Sequence, residues 1–474
     1  MIGLNEYPNA ERVFFYFEEI SKIPHGSFNT SPIADYLEGF AKERSLEYIR
    51  DGADNVVIKK KASKGYEERP TVIIQGHTDM VAEKTADSDK NLDTDGLELY
   101  VDGDFLRARG TTLGGDDGVA VAYMLALLES STIPHPALEM LFTSNEEVGL
   151  LGADALDTSG LKGKIMINVD SDDEGIFTVG CAGGGRVDFT LPVNLCESEG
   201  KCYELTVSGL LGGHSGVEID KCRANAIKLG AKILASLGDV RIAYLDGGTK
   251  DNAIPRDFTA KFTTKFGISG IFEEAKASAL KPYKGIEPYA KITLCECEGV
   301  EKTLDENSSK TIISMLNEVK SGVIAMSEDI KGLVESSENL GIAKLGDNEF
   351  AFTVSVRSAK ADKKASLIEN LKATAQKYGA EVSVRGEYPA WEYKKDSHVR
   401  DVACKVFSDM YGKDAKVITI HAGLECGIFS DKIEGLDCIS LGPDNFDIHT
   451  TEEHLSISST ARVWEFLKKM LKEI

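Results

Sequence analysis

Residues 118–143 read GVAVAYMLALLESSTIPHPALEMLFT. The first part of this stretch, 118–130, is apolar over a length that favours a helix, and 137–143 is a shorter apolar run typical of a buried strand. Similar short runs precede and follow it, TVIIQ at 71–75 and KIMINV at 164–169. Strands that alternate with helices in this way indicate an α/β domain with a largely parallel sheet covered by helices on both faces.

The pattern changes in the middle of the chain and then returns. Alternating runs such as VDFTLPV and EFAFTVSVRS mix there with helical segments at 223–237 and near 309–326. Such a mixture predicts a separate α+β domain. The sequence therefore predicts a first domain in two parts, 1–186 and 389–474, interrupted by an inserted α+β domain at 187–388.

The composition argues against several classes of function. The 474 residues include 54 basic and 77 acidic ones, and the net charge of −23 repels the phosphate backbone of nucleic acids. No apolar run reaches the roughly 20 residues of a membrane-spanning helix, and acidic residues interrupt the apolar N-terminal stretch, unlike a signal peptide. The nine cysteines include no CxxC pair, which fits a reducing compartment. We expect a cytoplasmic protein that binds neither nucleic acid nor membrane.

Possible metal ligands follow the predicted strands of the first domain. They are His77 and Asp79 after TVIIQ, Asp116 before the helix, Glu146 and Glu147 after residues 137–143, Asp170 after KIMINV, and His449 in the loop PDNFDIHTTEEH. The carboxyl ends of the strands line the ligand crevice of an open α/β sheet. We therefore expect these side chains to converge.

Each of these residues also has an ordinary structural alternative. The glutamate pair could lie at the start of a helix, where the helix dipole is positive. Asp116 and Asp170 could each be the N-cap of a helix. The two histidines could be a hydrogen-bonded strand-end residue and an exposed loop residue. The joint pattern favours a metal site, because imidazoles and carboxylates together suit Zn²⁺ or Mn²⁺. So many acids at one crevice would repel one another, and two divalent cations would relieve that repulsion.

Several motifs of the chain resemble a known family. GHTDM (76–80), GTTLGGDDGVA (110–120), SNEEVGLLGA (144–153), NVDSDDEG (168–175) and IHTTEEH (448–454) are similar to the dinuclear zinc peptidases of the M20 metallopeptidase family, in that family's order. GLLGGHSGVEI, KDNAIPR and HAGLECGIF narrow the resemblance to the aminoacyl-histidine (Xaa-His) dipeptidases of the family. The resemblance extends over the whole chain.

This resemblance implies a role for each candidate residue of the first domain. His77 and Asp170 would bind one zinc ion, Glu147 and His449 the other, and Asp116 would bridge the two. Asp79 would orient His77, and a cis peptide is expected between Asp116 and Asp117. Glu146 would be the general base, taking a proton from a metal-bridging water and returning it to the leaving amine.

In the inserted domain the resemblance implies contacts with the substrate. His214 would stabilise the oxyanion, commonly from the lid of the partner subunit, and Asn252 would add a second polar contact. Arg357 would hold the substrate carboxylate, and Gly423 would lie close to the bound dipeptide. From the residues alone, a flexible turn around His214 and an exposed strand arginine stay open as alternatives. A His214 that acts in the partner's site requires a homodimer, formed through this lid domain.

The function implied by the resemblance is a zinc-dependent dipeptidase. It would hydrolyse unblocked dipeptides, preferentially Xaa-His dipeptides of the β-alanyl-histidine type, with Mn²⁺ or Co²⁺ as substitutes for zinc. Two alternatives are kept. One is another M20 activity, either the deacylation of N-acyl amino acids or a tripeptidase. The other is an inactive relative that binds metal and serves as a scaffold.

Overall fold

The computed structural model describes residues 7–328, 330 and 332–474. The chain forms two compact units. Unit 1 comprises Met1–Cys181, Tyr393–Thr419 and Leu424–Ile474, and unit 2 comprises Ala182–Glu392 and Ile420–Gly423. Unit 2 begins and ends a few residues outside the predicted inserted domain, 187–388, and it also includes four residues of the predicted segment 389–474.

Helices and strands are labelled in chain order. The helices are α1 (Glu11–Ile20), α2 (Ser31–Glu43), α3 (Gly115–Glu129), α4 (Leu151–Ala155), α5 (Ala226–Leu237), α6 (Ser269–Leu280), α7 (Glu306–Glu318), α8 (Ala361–Tyr378), α9 (His398–Tyr411), α10 (Glu425–Lys432) and α11 (Ile457–Glu473). The strands are β1 (Glu47–Arg50), β2 (Val56–Lys60), β3 (Val72–His77), β4 (Leu99–Asp102), β5 (Phe105–Ala108), β6 (Leu138–Thr143), β7 (Ile165–Asn168), β8 (Ile176–Cys181), β9 (Gly183–Pro192), β10 (Leu195–Glu197), β11 (Lys201–Ser208), β12 (Gly213–His214), β13 (Arg241–Gly247), β14 (Ala253–Ile254), β15 (Phe258–Thr264), β16 (Lys291–Glu296), β17 (Lys302–Leu304), β18 (Gly322–Met326), β19 (Val334–Leu345), β20 (Glu349–Ser358), β21 (Glu381–Tyr388), β22 (Lys416–Ile420), β23 (Asp437–Ser440), β24 (Asn445–Phe446) and β25 (His454–Ser456).

The main sheet of unit 1 has the strand order β1-β2-β6-β3-β7-β23-β8-β22. Its four central strands, β6, β3, β7 and β23, pair in parallel. Nearer the edges of the sheet, β1 pairs antiparallel with β2, β2 with β6, and β8 with β23. All four central strands therefore end at the same edge of the sheet, and the loops that follow them meet there.

Helix α3 and strand β6 correspond to the predicted helix 118–130 and the predicted strand 137–143. Every residue from Val119 to Leu128 is buried, as expected for a helix that is apolar on all sides. Along the central strands, Ile74, Met140 and Ile167 join a core cluster with α3, while the alternate residues Ile73, Leu141 and Met166 are buried as well. Both faces of the sheet are therefore covered, as predicted.

Unit 2 contains a nine-stranded antiparallel sheet in the order β16-β11-β15-β13-β19-β20-β9-β21, with β18 paired to β19. Its core cluster joins residues of these strands to apolar residues of α5, α6, α7 and α8. The predicted fold class is confirmed: an α/β sheet, largely parallel at its centre, and an inserted α+β part.

One predicted element of unit 2 is wrong in its second half. The helix expected near 309–326 is α7, which ends at Glu318, and the residues at its predicted end form β18. Val319 already has an extended backbone, and Gly322 has a φ of 110°. That φ is left-handed and incompatible with a continuing α-helix, and the β-branched Val323 and Ile324 favour the strand.

Candidate active site

His77 is the last residue of β3, and its ring is buried. Its Nδ1 lies 2.9 Å from the backbone oxygen of Asp79, and its Nε2 lies 2.9 Å from Oδ1 of Asp116. A proton on Nδ1 donates to that carbonyl, so the Nε2 lone pair faces a carboxylate oxygen. Two hydrogen-bond acceptors at this distance need a proton or a cation between them. A histidine that binds a metal typically donates the N–H of its other ring nitrogen to a carbonyl or carboxylate oxygen, as Nδ1 of His77 does here.

Asp116 stands between two histidines. Its Oδ2 lies 3.1 Å from Nε2 of His449, while Oδ1 faces His77. The peptide bond between Asp116 and Asp117 is cis, so the predicted cis peptide is confirmed. Both residues have non-helical backbone angles, and the regular part of α3 begins after them, at Gly118.

The adjacent glutamates 146 and 147 lie on a tight loop after β6. Asn145, Gly149 and Leu150 in this loop all have positive φ angles, which keeps the chain from entering a helix at once. The carboxylate of Asp79 accepts the backbone N–H of Glu146 at 2.9 Å and that of Glu147 at 3.4 Å. Asp79 therefore holds the glutamate loop with its side chain and His77 with its backbone oxygen.

Three groups of side chains in this cluster offer ligand atoms within 4.8 Å of one another. They are His77 with Asp116 and Asp170, Asp116 with Glu147 and His449, and His77 with Glu146 and Glu147. The first two groups share Asp116. The structure thus brings together all the metal ligands that the sequence predicts, and it gives Asp116 the central position.

The protonation of the cluster shows how crowded its charges are. Burial, reinforced by neighbouring carboxylates, raises the pKa of Glu146 to about 8, and burial also raises the pKa of Asp170. The Asp116 and Glu147 carboxylates raise the pKa of His449 to about 10. A buried oxygen of Glu147 lies 2.9 Å from the His449 ring nitrogen without an aligned hydrogen bond. These side chains fit a site for divalent cations, which would neutralise the carboxylates.

Glu453 is a functional residue that sequence reasoning missed. Its buried carboxylate accepts the backbone N–H groups of Leu113 and Gly114 on Oε2, and those of Gly115 and Asp116 on Oε1, at 2.8–3.3 Å. It therefore fixes the loop that presents Asp116. The neighbouring Glu452 is exposed, so the motif TTEEH gave no local sign of which glutamate is used.

Glu453→Gln is expected to lower the free energy of unfolding by about 2 kcal/mol or more, because an amide nitrogen would face two backbone donors that the carboxylate now satisfies. Urea unfolding of the variant beside Glu452→Gln measures the effect. The Glu452 variant serves as a matched control, since that side chain is exposed. Equal stabilities of the two variants would contradict this role for Glu453.

Glu425 is a second buried acid that the sequence did not single out. Its Oε2 accepts hydrogen bonds from Gln75 Nε2 at 2.5 Å and Thr143 Oγ1 at 2.6 Å. Gln75 in turn accepts a hydrogen bond from Asn168. This network joins β3, β6 and β7 at or near their carboxyl ends and supports the loops that carry the metal-ligand cluster. Glu425 lies 350 positions from Gln75 and 282 from Thr143, which leaves no local signal.

In unit 2, His214 lies on the short strand β12, opposite Ala253 of β14. Its Nδ1 accepts the N–H groups of Gly216 and Val217 at 3.1 and 3.2 Å, so the ring proton is on Nε2, which is a donor. Burial, then the charge of Arg357, lowers the pKa of His214 and keeps the ring neutral. Asn252 is the residue before Ala253, and its backbone oxygen accepts the N–H of Ser215 at 2.8 Å.

Tyr388 links two further predicted residues of unit 2. Arg357 Nη1 donates to its hydroxyl at 2.9 Å. Gly423 packs against its ring so closely that an added Cβ would lie 2.7 Å from Cε2. Arg357 and Gly423 are therefore neighbours of one tyrosine. The sequence analysis did not predict Tyr388, and only its contacts with Arg357 and Gly423 reveal its place beside them.

His421, left without a role in the sequence interpretation, forms a buried pair with Ser337. Its Nε2 lies 2.8 Å from the Ser337 Oγ. Burial, then the charge of Arg357, lowers the pKa of His421 to about 3. The ring is therefore neutral in the folded protein at any ordinary pH, and it anchors the segment Ile420–Gly423 within unit 2.

This pKa predicts a pH dependence of stability. The unfolded histidine has a pKa near 6.5, so the unfolded chain binds one more proton than the folded chain between about pH 6.5 and pH 3. The stability that the neutral His421 ring contributes is fully present above the pKa of the unfolded histidine and is lost as the pH falls below it. Below pH 6 the free energy of unfolding of the wild type should therefore fall by up to about 1.4 kcal/mol per pH unit more than that of His421→Gln.

Thermal unfolding midpoints measured from pH 7 to pH 4.5 test this prediction. His398→Gln is the matched control, because His398 is exposed on α9. Parallel curves for wild type and His421→Gln would show that His421 is not held neutral by burial.

Comparison with known proteins agrees with this geometry. Residues 73–473 match the peptidase family M20/M25/M40. The cytosol non-specific dipeptidase of Escherichia coli (strain K12) is 34% identical over 473 residues, which cover 97% of this chain and 96% of that protein. The crystal structure of aminoacylhistidine dipeptidase from Vibrio alginolyticus superposes with a TM-score of 0.91 at 32% identity, covering 98% and 96% of the two chains. Aminopeptidase PepT from Bacillus cereus shares the fold, with a TM-score of 0.58, 18% identity and 98% of each chain covered.

The fold and the carboxylate–histidine cluster are those of a metal-dependent peptidase. The chain belongs to peptidase family M20, and it is a hydrolase that acts on peptide bonds. The predicted family and enzyme class are thereby confirmed. Among the described helices, none combines the length and apolar character needed to cross a membrane.

Proposed function

We propose that the chain is a dinuclear zinc dipeptidase that hydrolyses unblocked dipeptides, with a preference for Xaa-His. The observation that carries the proposal is the pair of ligand groups that share Asp116, with Glu146 beside them. The two relatives support the dipeptidase part of it, since both are named dipeptidases. One relative is named a non-specific dipeptidase and the other an aminoacylhistidine dipeptidase, and the substrate panel described below tests the Xaa-His preference.

In this proposal His77 and Asp170 would hold one cation and Glu147 and His449 the other, and Asp116, which belongs to both ligand groups, would be shared between them. The mixed imidazole and carboxylate donors suit zinc, with manganese or cobalt as substitutes. Bound cations would polarise the scissile carbonyl and make water a better nucleophile at neutral pH. Elemental analysis of protein purified without added metal, followed by reconstitution with each ion, identifies the native one.

Glu146 acts as the general base in the proposed reaction. Burial raises its pKa toward neutral pH, where a carboxylate can both accept and release a proton. It takes a proton from the attacking water and delivers it to the leaving amine. Asp79 keeps Glu146 in place through the backbone N–H that its carboxylate accepts.

The residues of unit 2 bind the substrate in this proposal. The Nε2–H of His214 is a donor for the developing oxyanion, and Asn252 adds a polar contact. Arg357 holds the C-terminal carboxylate, with Tyr388 fixing the guanidinium through its hydroxyl. Gly423 lets the Tyr388 ring pack directly against its backbone, and in the proposal this segment lies close to the bound dipeptide.

We further propose a cytoplasmic homodimer in which the lid formed by unit 2 makes the subunit contact and His214 serves the partner's site. Light scattering after size exclusion measures the assembly. Mixing an inactive His214→Ala variant with an inactive Glu146→Gln variant tests the shared site. Activity recovered in the mixed dimer would support action in the partner's site, and no recovery would place His214 in its own subunit's site.

A substrate panel tests the proposed reaction. The metal-loaded protein is incubated with β-alanyl-histidine, Leu-His, Leu-Gly, a tripeptide and several N-acetyl amino acids, and released amino acids are quantified. Fast cleavage of Xaa-His dipeptides supports the proposal. Turnover confined to acetylated compounds or to tripeptides moves the chain to another M20 activity. No turnover by a protein that binds two metals indicates an inactive scaffold.

A further inference from the structure

Phe28 has an unusual combination of exposure and backbone conformation. Its side chain is 74% exposed, and its φ is 65°. A bulky L-residue in the left-handed region is strained, and this region is adopted mostly by Gly, Asn and Asp. Such outliers persist where the surrounding structure imposes them, and they concentrate at functional sites.

Three contacts impose the conformation of the segment around Phe28. The backbone N–H of Phe28 donates to Asn145 Oδ1 at 2.6 Å. The Ser27 hydroxyl donates to Asp79 Oδ2 at 2.8 Å, and the Ser27 N–H donates to the Met80 backbone oxygen at 3.3 Å. The segment is thus tied to the loops after β3 and β6, the same loops that carry the catalytic residues.

These contacts place Phe28 beside the glutamate loop. Asn145, its hydrogen-bond partner, directly precedes Glu146, and Asp79 accepts hydrogen bonds from both Ser27 and the glutamate loop. The same loop and the start of α4 carry two further exposed apolar side chains, Val148 and Leu151. Unit 1 therefore carries exposed apolar side chains on the glutamate loop, at the start of α4 and on the segment that is bonded to that loop.

A turn alone does not explain a phenylalanine at this position. Glycine or asparagine would adopt the same φ with less strain. An aromatic ring that stays exposed to water adds little to the stability of the fold. The backbone hydrogen bond to Asn145 would form with any residue. What the phenylalanine side chain adds is a large exposed apolar surface on a segment tied to the loops of the site.

We propose that Phe28 is a specificity-determining residue, which contacts the side chain of the N-terminal residue of the dipeptide and favours apolar residues there. This inference rests on the proposed dipeptidase function. In the proposed reaction Glu146 takes its proton from the water that attacks the scissile carbonyl, and that carbonyl belongs to the N-terminal residue. Phe28 is bonded to the loop that carries Glu146, so we assign its ring to the side chain of that residue.

The test compares kcat/KM for Leu-His and Gly-His in wild type, Phe28→Ala and Phe28→Leu. Phe28→Ala is expected to lower kcat/KM for Leu-His about ten-fold or more, mainly through KM, and to change Gly-His little. Phe28→Leu should retain most of the preference. Phe266→Ala is the matched control, because Phe266 is also a highly exposed phenylalanine, 64% exposed, in unit 2.

Each outcome decides the proposal. Equal losses for both dipeptides would assign Phe28 to loop positioning, and an unchanged ratio would show that its ring meets no substrate; either result overturns the inference. Phe28→Gly, which relieves the backbone strain, shows by its thermal midpoint whether a loss reflects folding. If wild type cleaves neither dipeptide, the proposed function itself has failed, and the specificity role fails with it.

Discussion

Glu146→Gln is expected to lower kcat by about two to four orders of magnitude, the usual contribution of a positioned general base. Glutamine has nearly the same shape, and the backbone N–H that holds residue 146 on Asp79 is unaffected by the substitution. The ligand groups that share Asp116 also stay complete, since neither includes Glu146. Steady-state kinetics on the best dipeptide, combined with elemental analysis, separates the loss of chemistry from any loss of metal.

The control for this experiment is Glu434→Gln, which replaces an exposed glutamate of the same unit and should keep wild-type kinetics. A Glu146→Gln enzyme with kcat within a few-fold of wild type would show that another group transfers the proton. A variant that loses both metal and activity would instead make Glu146 a ligand, a role that the group formed by His77, Glu146 and Glu147 leaves geometrically open.

Asp116→Asn is expected to abolish activity and to reduce the metal content. Asp116 belongs to both ligand groups, and each of its oxygens faces a different histidine. An amide offers one oxygen and one NH₂ group, so it cannot serve both sides, and the NH₂ group is no metal ligand. The group with His77 and Asp170 and the group with Glu147 and His449 would then lose the residue that they share.

Elemental analysis and thermal unfolding of Asp116→Asn measure this effect. A metal that binds only the folded state stabilises it, so the variant should unfold at a lower temperature than the metal-loaded wild type and should respond less to a chelator. Asp93→Asn, at an exposed position of unit 1, is the control and should behave as wild type. An active Asp116→Asn protein with full metal content would overturn the bridging role.

Much of the site could be predicted from the sequence, because most of its residues lie at the end of a strand or directly after one. His77 ends β3, Glu146 and Glu147 follow β6, and Asp170 follows β7. A short run of apolar residues identifies each strand in the sequence, and parallel pairing then brings the carboxyl ends of the strands to one edge of the sheet. The family motifs added roles that the pattern alone leaves open. The helix predicted near 309–326 extended too far, because Gly322 has a positive φ and a strand begins there.

By itself, the sequence determined the fold class, the family and the residues that meet at the strand ends, because these depend on short segments and on their order. Only the tertiary structure decided which of two adjacent glutamates, 452 or 453, holds the Asp116 loop, and that Glu425 ties three strands together. It also decided that Phe28 is held beside the glutamate loop. Each of these roles comes from a hydrogen bond between residues more than a hundred positions apart, and no local pattern encodes such a contact.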